Sequence, residues 1–345
     1  MRSLETSDQS VSKLLWRELD KSAEEIGRAI ANGSPAKMPT LDHASMADYN
    51  NVYEPSDDTY LLIDAIKHDL FSGYPSDNGD IDSDDEKQLV NSMALVSYRM
   101  ETDPSGVSER SQKKLEEHKD FLDQQAVKIR ARVQQLKRLE KISNVMEIGT
   151  GSGVPITYLS KRLLQEKPGG TAVDKFSVIA TDLNALALGF ARRTAEENGV
   201  VVAASPEDER GENGVGIREL RFLETDLAES LLPDHRGTID VLLFNPPYVP
   251  TEDSEISGNG IAISWAGGRD GRVVVDRALP QIAELLAKPD GVCYMITVDD
   301  NRPAELAAVL RDRHGLEMVP LVRRRARNEY LSVQKISWPV DPSPS

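Results

Sequence analysis

From Lys141 onward the chain alternates short apolar runs with amphipathic stretches, and this alternation limits the folds open to it. Strand character falls at about 143–148, 176–181, 217–223, 239–244, 291–298, 317–322 and 330–336. Helical periodicity separates the first six runs, at about 154–166, 184–198, 227–232, 271–287 and 302–313, and the last two runs follow each other directly. A repeat of strand, crossover helix and strand sets neighbouring strands parallel and sends helices to both faces of the sheet. The expected fold is α/β, a doubly wound, seven-stranded, mostly parallel sheet.

The first four runs each end on groups that suit a ligand. Asp240-Val241-Leu242-Leu243-Phe244 stops at Asn245-Pro246-Pro247-Tyr248. Neither proline can donate to a sheet ladder, so pairing ends there and the chain turns outward. Asn245 therefore stands at the carboxyl end of a strand, where open α/β sheets build their sites. The first run, Val145–Ile148, enters Gly149-Thr150-Gly151-Ser152-Gly153. Glycines admit a ligand close to the backbone, and the helix that follows offers free N–H groups. The spacing is neither the dinucleotide fingerprint nor a P-loop. The second run ends at Asp182, a carboxylate suited to two ribose hydroxyls or, with Asn184, to a helix N-cap. The third ends at Asp226-Leu227, an acceptor for an adenine amino group and an apolar surface for the ring.

Residues 1–45 read as an N-terminal extension, helical from Val11 to Ile30 and broken at Asn32-Gly33-Ser34-Pro35. The remaining domain, 46–345, carries an insertion at 72–140 and a second inserted loop at 203–216. Within the larger insertion, residues 75–86 hold six acids and no base, the composition of a solvated loop. Leu115, Leu122, Ile129 and Leu136 then recur every seven along a charged helix from Ser111 to Glu140, giving one apolar stripe for docking on the domain. Arg323-Arg324-Arg325-Ala326-Arg327 is the one basic cluster, read as a solvated hairpin between the last strands or as a contact for phosphates.

A net charge of −16 repels phosphate backbones and disfavours nucleic acid as the main partner. The single cysteine, Cys293, lies in an apolar run, and the five histidines show no ligand spacing, so no metal is expected. No apolar segment approaches the roughly 20 residues of a membrane span. The acidic N-terminus lacks the features of a signal or transit peptide, so the cytoplasm, with or without the nucleus, is the expected compartment.

The combination of Glu147-x-Gly-Thr-Gly-Ser-Gly153, an acid after the second strand, Asp-Leu after the third and Asn-Pro-Pro-Tyr after the fourth resembles the class I S-adenosylmethionine-dependent methyltransferases. Asn-Pro-Pro-Tyr resembles, more narrowly, the motif of enzymes that methylate amide or exocyclic nitrogen. With Tyr53-Glu54-Pro55-Ser56-Asp57-Asp58-Thr59 and Ser264-Trp265-Ala266-Gly267-Gly268-Arg269-Asp270-Gly271-Arg272, the chain looks like the eukaryotic and archaeal HemK-type glutamine methyltransferases. The resemblance spans roughly 50–70 and 143–336. It implies a Rossmann-like sheet and S-adenosylmethionine held by Thr59, Glu147, Gly149, Gly151, Asp182, Asp226, Leu227 and Asn245, with Asp58 near the donor. The substrate amide would be gripped by Asn245, Pro246, Pro247 and Tyr248. The implied reaction is N5-methylation of the glutamine in the Gly-Gly-Gln loop of a class 1 translation release factor. The family also implies a heterodimer with a small zinc-binding activator subunit, without which the catalytic chain would expose an apolar strip. Adenine N6-methylation and lysine methylation by the same motif are the rival activities, and a non-catalytic cofactor-binding scaffold is the rival from another class.

Overall fold

A computed structural model describes residues 37–71, 94, 97–98, 119–166, 176–200, 217–252, 264–326 and 329–339. The helical pattern Val11–Ile30, the acidic stretch 75–86 and the loop 203–216 lie outside these residues. The chain divides into two compact units, the larger made of Met38–Lys67, Ile142–Leu164 and Thr171–Ser345.

Seven strands of the larger unit form one sheet: β1 (Asn144–Ile148), β2 (Phe176–Asp182), β3 (Ile217–Glu224), β4 (Val241–Phe244), β5 (Val292–Val298), β6 (Glu317–Ala326) and β7 (Glu329–Ser337). Their order is β3-β2-β1-β4-β5-β7-β6. The first five run parallel, and β7 lies antiparallel to both β5 and β6. The direction reverses where no helix intervenes, because β6 and β7 form a hairpin. Every residue of β4 and β5 is buried, as a strand covered on both faces must be.

Helices α1 (Asp57–Ile66), α3 (Val154–Glu166, as far as Leu164), α4 (Ala185–Glu197), α5 (Leu232–His235), α6 (Val273–Leu285) and α7 (Pro303–Val309) belong to this unit, and α2 (Lys119–Lys141) belongs to the smaller one. On one side of the sheet, Leu242, Phe244, Met295 and Ile336 pack with Val275, Ala278, Leu279 and Ile282 of α6. Helix α1 lies against β5, β6 and β7. Its Leu61, Leu62, Ile63 and Ile66 are fully buried, each worth about 1.5–3 kcal/mol over exposure. That burial fixes the N-terminal end of α1 at the carboxyl edge of the sheet. Leu41 and Ala44, which the sequence assigns to the extension, pack with Val52, Ala187 and Phe190 against α4.

Three boundaries differ from expectation. The short helix expected at 227–232 is displaced to the turns Glu229–Leu231 and Leu232–His235, because Leu227 takes a left-handed backbone (φ 54°) that no helix accommodates. β6 runs on to Ala326 instead of ending near 322. Arg323, Arg324 and Arg325 therefore lie within a strand, paired with Ser332, Leu331 and Tyr330. β6 is an edge strand, where charged side chains stay in water. Helix α6 begins at Val273 because Gly271 has φ 63°. In the smaller unit, Val133 and Leu136 of α2 are buried, Gln135 Nε2 donates to the Leu70 carbonyl (2.9 Å) and Arg138 pairs with Asp69 (3.1 Å).

Candidate active site

Asp58, at the first turn of α1, is 1% exposed and is the hub of the carboxyl edge. A carboxylate removed from water needs donors, and this one has them on both oxygens. Oδ1 accepts from the Thr59 backbone N–H (2.6 Å), Ser56 Oγ (3.2 Å) and Thr59 Oγ1 (3.3 Å). Oδ2 accepts from Tyr53 Oη (3.0 Å), Tyr248 Oη (3.2 Å) and Asn245 Nδ2 (3.2 Å). The phenols are held as donors. Burial and the Asp58 charge push Tyr53 up to about 12, and the same two causes raise Tyr248.

These bonds orient the Asn245 amide. A carboxylate can only accept, so it must face the NH2 end, and the carbonyl end turns the other way. Asn245 Oδ1 is buried and has no hydrogen-bond partner. An unsatisfied buried acceptor costs about 1–3 kcal/mol; the donor that suits it is an N–H. Pro246, beside it, has no N–H of its own but keeps its carbonyl.

On the other side of β4, the turn after β1 carries Gly149, Gly151 and Gly153 at φ 64°, 51° and 73°. A Cβ at Gly149 would meet nothing within 4 Å, leaving the turn open on that side. One at Gly153 would lie 2.7 Å from the Ala191 Cβ of α4, so that glycine serves packing. Asp182 uses its Oδ2 to accept from the Gly151 N–H and its Oδ1 to accept from the Asn184 N–H, both at 2.9 Å. Burial nevertheless raises its carboxyl above the usual range. The N-cap is Asn184, whose Oδ1 accepts from the Leu186 N–H (3.0 Å). Asp182 is thus pinned across the glycine turn and the helix entry together.

Glu147 is 2% exposed beneath the turn and accepts from Thr150 Oγ1 (2.5 Å). Burial pushes it up to about 8, partly opposed by the Thr150 hydroxyl. Leu227 is buried, with its strained backbone held by Thr181 Oγ1 donating to its carbonyl (2.8 Å). Asp226 is half-buried and paired with Arg277 (2.5 Å). Thr59 is buried against Asp58, with its hydroxyl in the Asp58 network. The residues singled out in the sequence therefore form two groups on adjacent strand ends. Asp58, Thr59, Asn245 and Tyr248 make one, and Glu147, Gly149, Gly151, Asp182 and Leu227 the other. Tyr53 joins them, its Cβ 3.9 Å from a Cβ built on Gly151.

Sequence reasoning passed over Tyr53, Thr181 and Asn301 as separate contributors. Asn301 follows β5 and is fully buried. Inspecting the end of the fifth strand as closely as the first four would have found it.

A seven-stranded sheet in this order, with a glycine turn after β1, an acid after β2 and Asn-Pro-Pro-Tyr after β4, defines a class I S-adenosylmethionine-dependent methyltransferase of Rossmann-like fold. No protein-family model matches the chain. It is 36% identical over 192 residues to mouse Methyltransferase HEMK2, covering 56% of this chain and 76% of the relative. It is 30% identical over 205 residues to the fission yeast eRF1 methyltransferase catalytic subunit mtq2, covering 58% and 79%. The chain belongs to the HemK-type methyltransferases. A solved structure of the E. cuniculi Mtq2–Trm112 complex aligns over 84% of this chain and 99% of that one, at 21% identity and a TM-score of 0.42.

Proposed function

We propose that this chain methylates the side-chain amide nitrogen of the glutamine in the Gly-Gly-Gln loop of a class 1 translation release factor. S-adenosylmethionine is the methyl donor, and the chain works in the cytoplasm with a small zinc-binding activator subunit. The observation that carries the reading is Asn245, with Nδ2 tied to Asp58 and Oδ1 buried and unpartnered. The fission yeast relative is named as the catalytic subunit of an eRF1 methyltransferase, which supports both the substrate and the second subunit.

The residues present suit the donor. Gly149 leaves open space at the turn, Asp182 keeps lone pairs for a ribose, and Leu227 offers an apolar wall. S-adenosylmethionine supplies an electrophilic methyl group. An amide nitrogen is a weak nucleophile because its lone pair is delocalised into the carbonyl, so the protein has to position it. Asn245 Oδ1 and the Pro246 carbonyl accept the two N–H bonds and aim the lone pair at the methyl carbon. With the donor bound, transfer of its methyl group from sulfur would build positive charge on the amide nitrogen. The same two acceptors stabilise it, with the Asp58 carboxylate behind Asn245 adding to the field. The nitrogen then releases one proton to water and regains its lone pair. Tyr248, held through its hydroxyl, offers its ring face to the planar amide.

The test is methyl transfer from labelled S-adenosylmethionine by the chain co-expressed with the activator subunit. Release factor, its Gln→Ala loop variant, a lysine-rich protein and duplex DNA are offered in parallel. Label on wild-type release factor only, abolished by Asn245→Ala, is the expected result. Label on DNA or on lysine, or equal label on both release-factor forms, overturns the glutamine reading.

A further inference from the structure

The loop that carries the Asn-Pro-Pro-Tyr motif is fixed from a direction that the reaction residues do not reveal. β4 and β5 are parallel neighbours, so the turn after β5, Asp299–Asn301, rises beside the turn after β4. Asn301 Oδ1 accepts from the Val298 N–H (2.8 Å), anchoring its side chain at the strand end. Its Nδ2 then faces three carbonyls: Tyr248 (2.9 Å), Asp270 (3.1 Å) and Gly271 (3.3 Å). Three acceptors converging in a dry site repel one another unless a donor sits among them, and the two hydrogens of this amide are the donors present.

The surrounding backbone is built around this contact. A Cβ on Gly271 would lie 1.9 Å from the Tyr248 carbonyl oxygen and 2.5 Å from Asn301 Nδ2. A Cβ on Gly267 would come within 2.6 Å of the Pro247 carbonyl oxygen. Residues 265–268 run alongside 249–251 through Val249 N–H to the Trp265 carbonyl, Gly267 N–H to the Val249 carbonyl and Thr251 N–H to the Gly268 carbonyl. Asp270 and Arg302 hold left-handed φ values of 56° and 52° and pair with each other at 3.1 Å. Such strain persists where surrounding contacts over-determine it.

We infer that Asn301 is a positioning residue of the methyl-transfer site: one buried amide locks the Asn-Pro-Pro-Tyr loop to the 264–272 segment and so sets where Asn245 and the Pro246 carbonyl meet the substrate. The inference rests on the methyltransferase reading above. The Asn301 amide is engaged with Val298, Tyr248, Asp270 and Gly271, all groups of the protein backbone. Its effect is on the geometry of the transferring atoms, and the glycine turn after β1 lies outside its reach.

The decisive variant is Asn301→Asp, which keeps the acceptor for Val298 and the side-chain shape while removing the donors. In the complex with the activator subunit, kcat falls about a hundredfold, the effect of misplacing a reacting group by about 1 Å. The affinity for S-adenosylmethionine is unchanged. Hydrogen exchange quickens at Val249, Thr251 and Gly267 together, and the bonded amides of Thr150, Gly151 and Gly153 keep their wild-type rates. Asn301→Ala, which removes the donors without setting a further acceptor against the three carbonyls, reproduces both effects and decides the matter if the first variant does not fold. Unchanged exchange in the two loops, or a kcat equal to wild type, overturns the inference. Failure of the wild-type complex to label release factor would overturn the proposed substrate instead, and the exchange measurement still decides for or against Asn301.

Discussion

Asp58 Oδ2 and Asn245 Nδ2 are 3.2 Å apart, and that contact decides which end of the asparagine amide faces the site. The motif asparagine alone is ambiguous, since its two ends differ only in whether they donate or accept. With a carboxylate on one side, rotating the amide would set two acceptors against each other in a buried setting. The acceptor end is thereby committed to an incoming N–H.

Asp58→Asn tests this commitment. The substituted amide can pair with Asn245 in either orientation, so the preference is lost while volume is kept. Methyl transfer falls by about a hundredfold, and cofactor affinity measured by calorimetry stays near wild type. A variant with wild-type kcat would show that Asp58 does not orient Asn245 for transfer.

Tyr248→Phe and Tyr53→Phe each delete one donor to Asp58 Oδ2. Each costs about 0.5–1.5 kcal/mol of stability in thermal melts. The two losses are not additive, because both hydroxyls share one oxygen. Additive losses within error would show that the hydroxyls act separately.

Glu147 gives the fold a pH signature. Its carboxyl is ordinarily near 4.5 and is pushed to about 8 by burial, so the folded state holds a proton that the unfolded chain has already released. Stability from this group is full below 4.5 and declines as pH rises through the window to about 8. Glu147→Gln cannot ionise. The stability difference between variant and wild type, followed by denaturant melts, therefore grows in the variant's favour across that window and is level on either side of it. A difference that does not change with pH would refute the shift.

On the proposed reading, Gly149 serves donor binding and Gly153 packing within one turn, and two variants separate the roles. Gly153→Ala drives a Cβ to 2.7 Å from that of Ala191 at φ 73° and lowers the melting temperature, by about 1–3 kcal/mol in stability. Gly149→Ala brings its Cβ within 4 Å of no other segment and costs about 1–2 kcal/mol through its left-handed backbone. Its larger effect is on donor affinity. Calorimetry and melts on the two variants should rank them in opposite order.

The sheet was legible because its evidence is local. Continuous apolar runs such as Val241–Phe244, closed within two residues by Pro246, or Val145–Ile148, apolar apart from one glutamate and closed by Gly149, mark buried parallel strands without knowledge of any neighbour. The Gly149–Gly153 turn and the acid at 182 were legible for the same reason. What escaped is what depends on distant partners. The Asp-Asp pair at 57–58 reads by itself as helix-dipole acids; the family resemblance put Asp58 near the donor, and what escaped is its burial and its bonds to Tyr53, Asn245 and Tyr248, while Asp57 stays exposed. Asn301 sits in an ordinary polar turn whose three carbonyl partners come from segments 30 and 53 residues earlier. The end of β6 was misjudged because an edge strand needs no apolar alternation to stay paired.

The position of α1 also governs the order of assembly. Its apolar surface is synthesised early, yet the strands it covers, β5 to β7, begin at Val292. At the 5–20 residues per second typical of translation, roughly 10–50 s pass between the two. Throughout that interval Leu61, Leu62, Ile63 and Ile66 have no native seat, and Asp58 has no Asn245 beside it until residue 245 emerges. Seating of α1, and with it the Asp58–Asn245 contact, therefore depends on strands made more than 200 residues later.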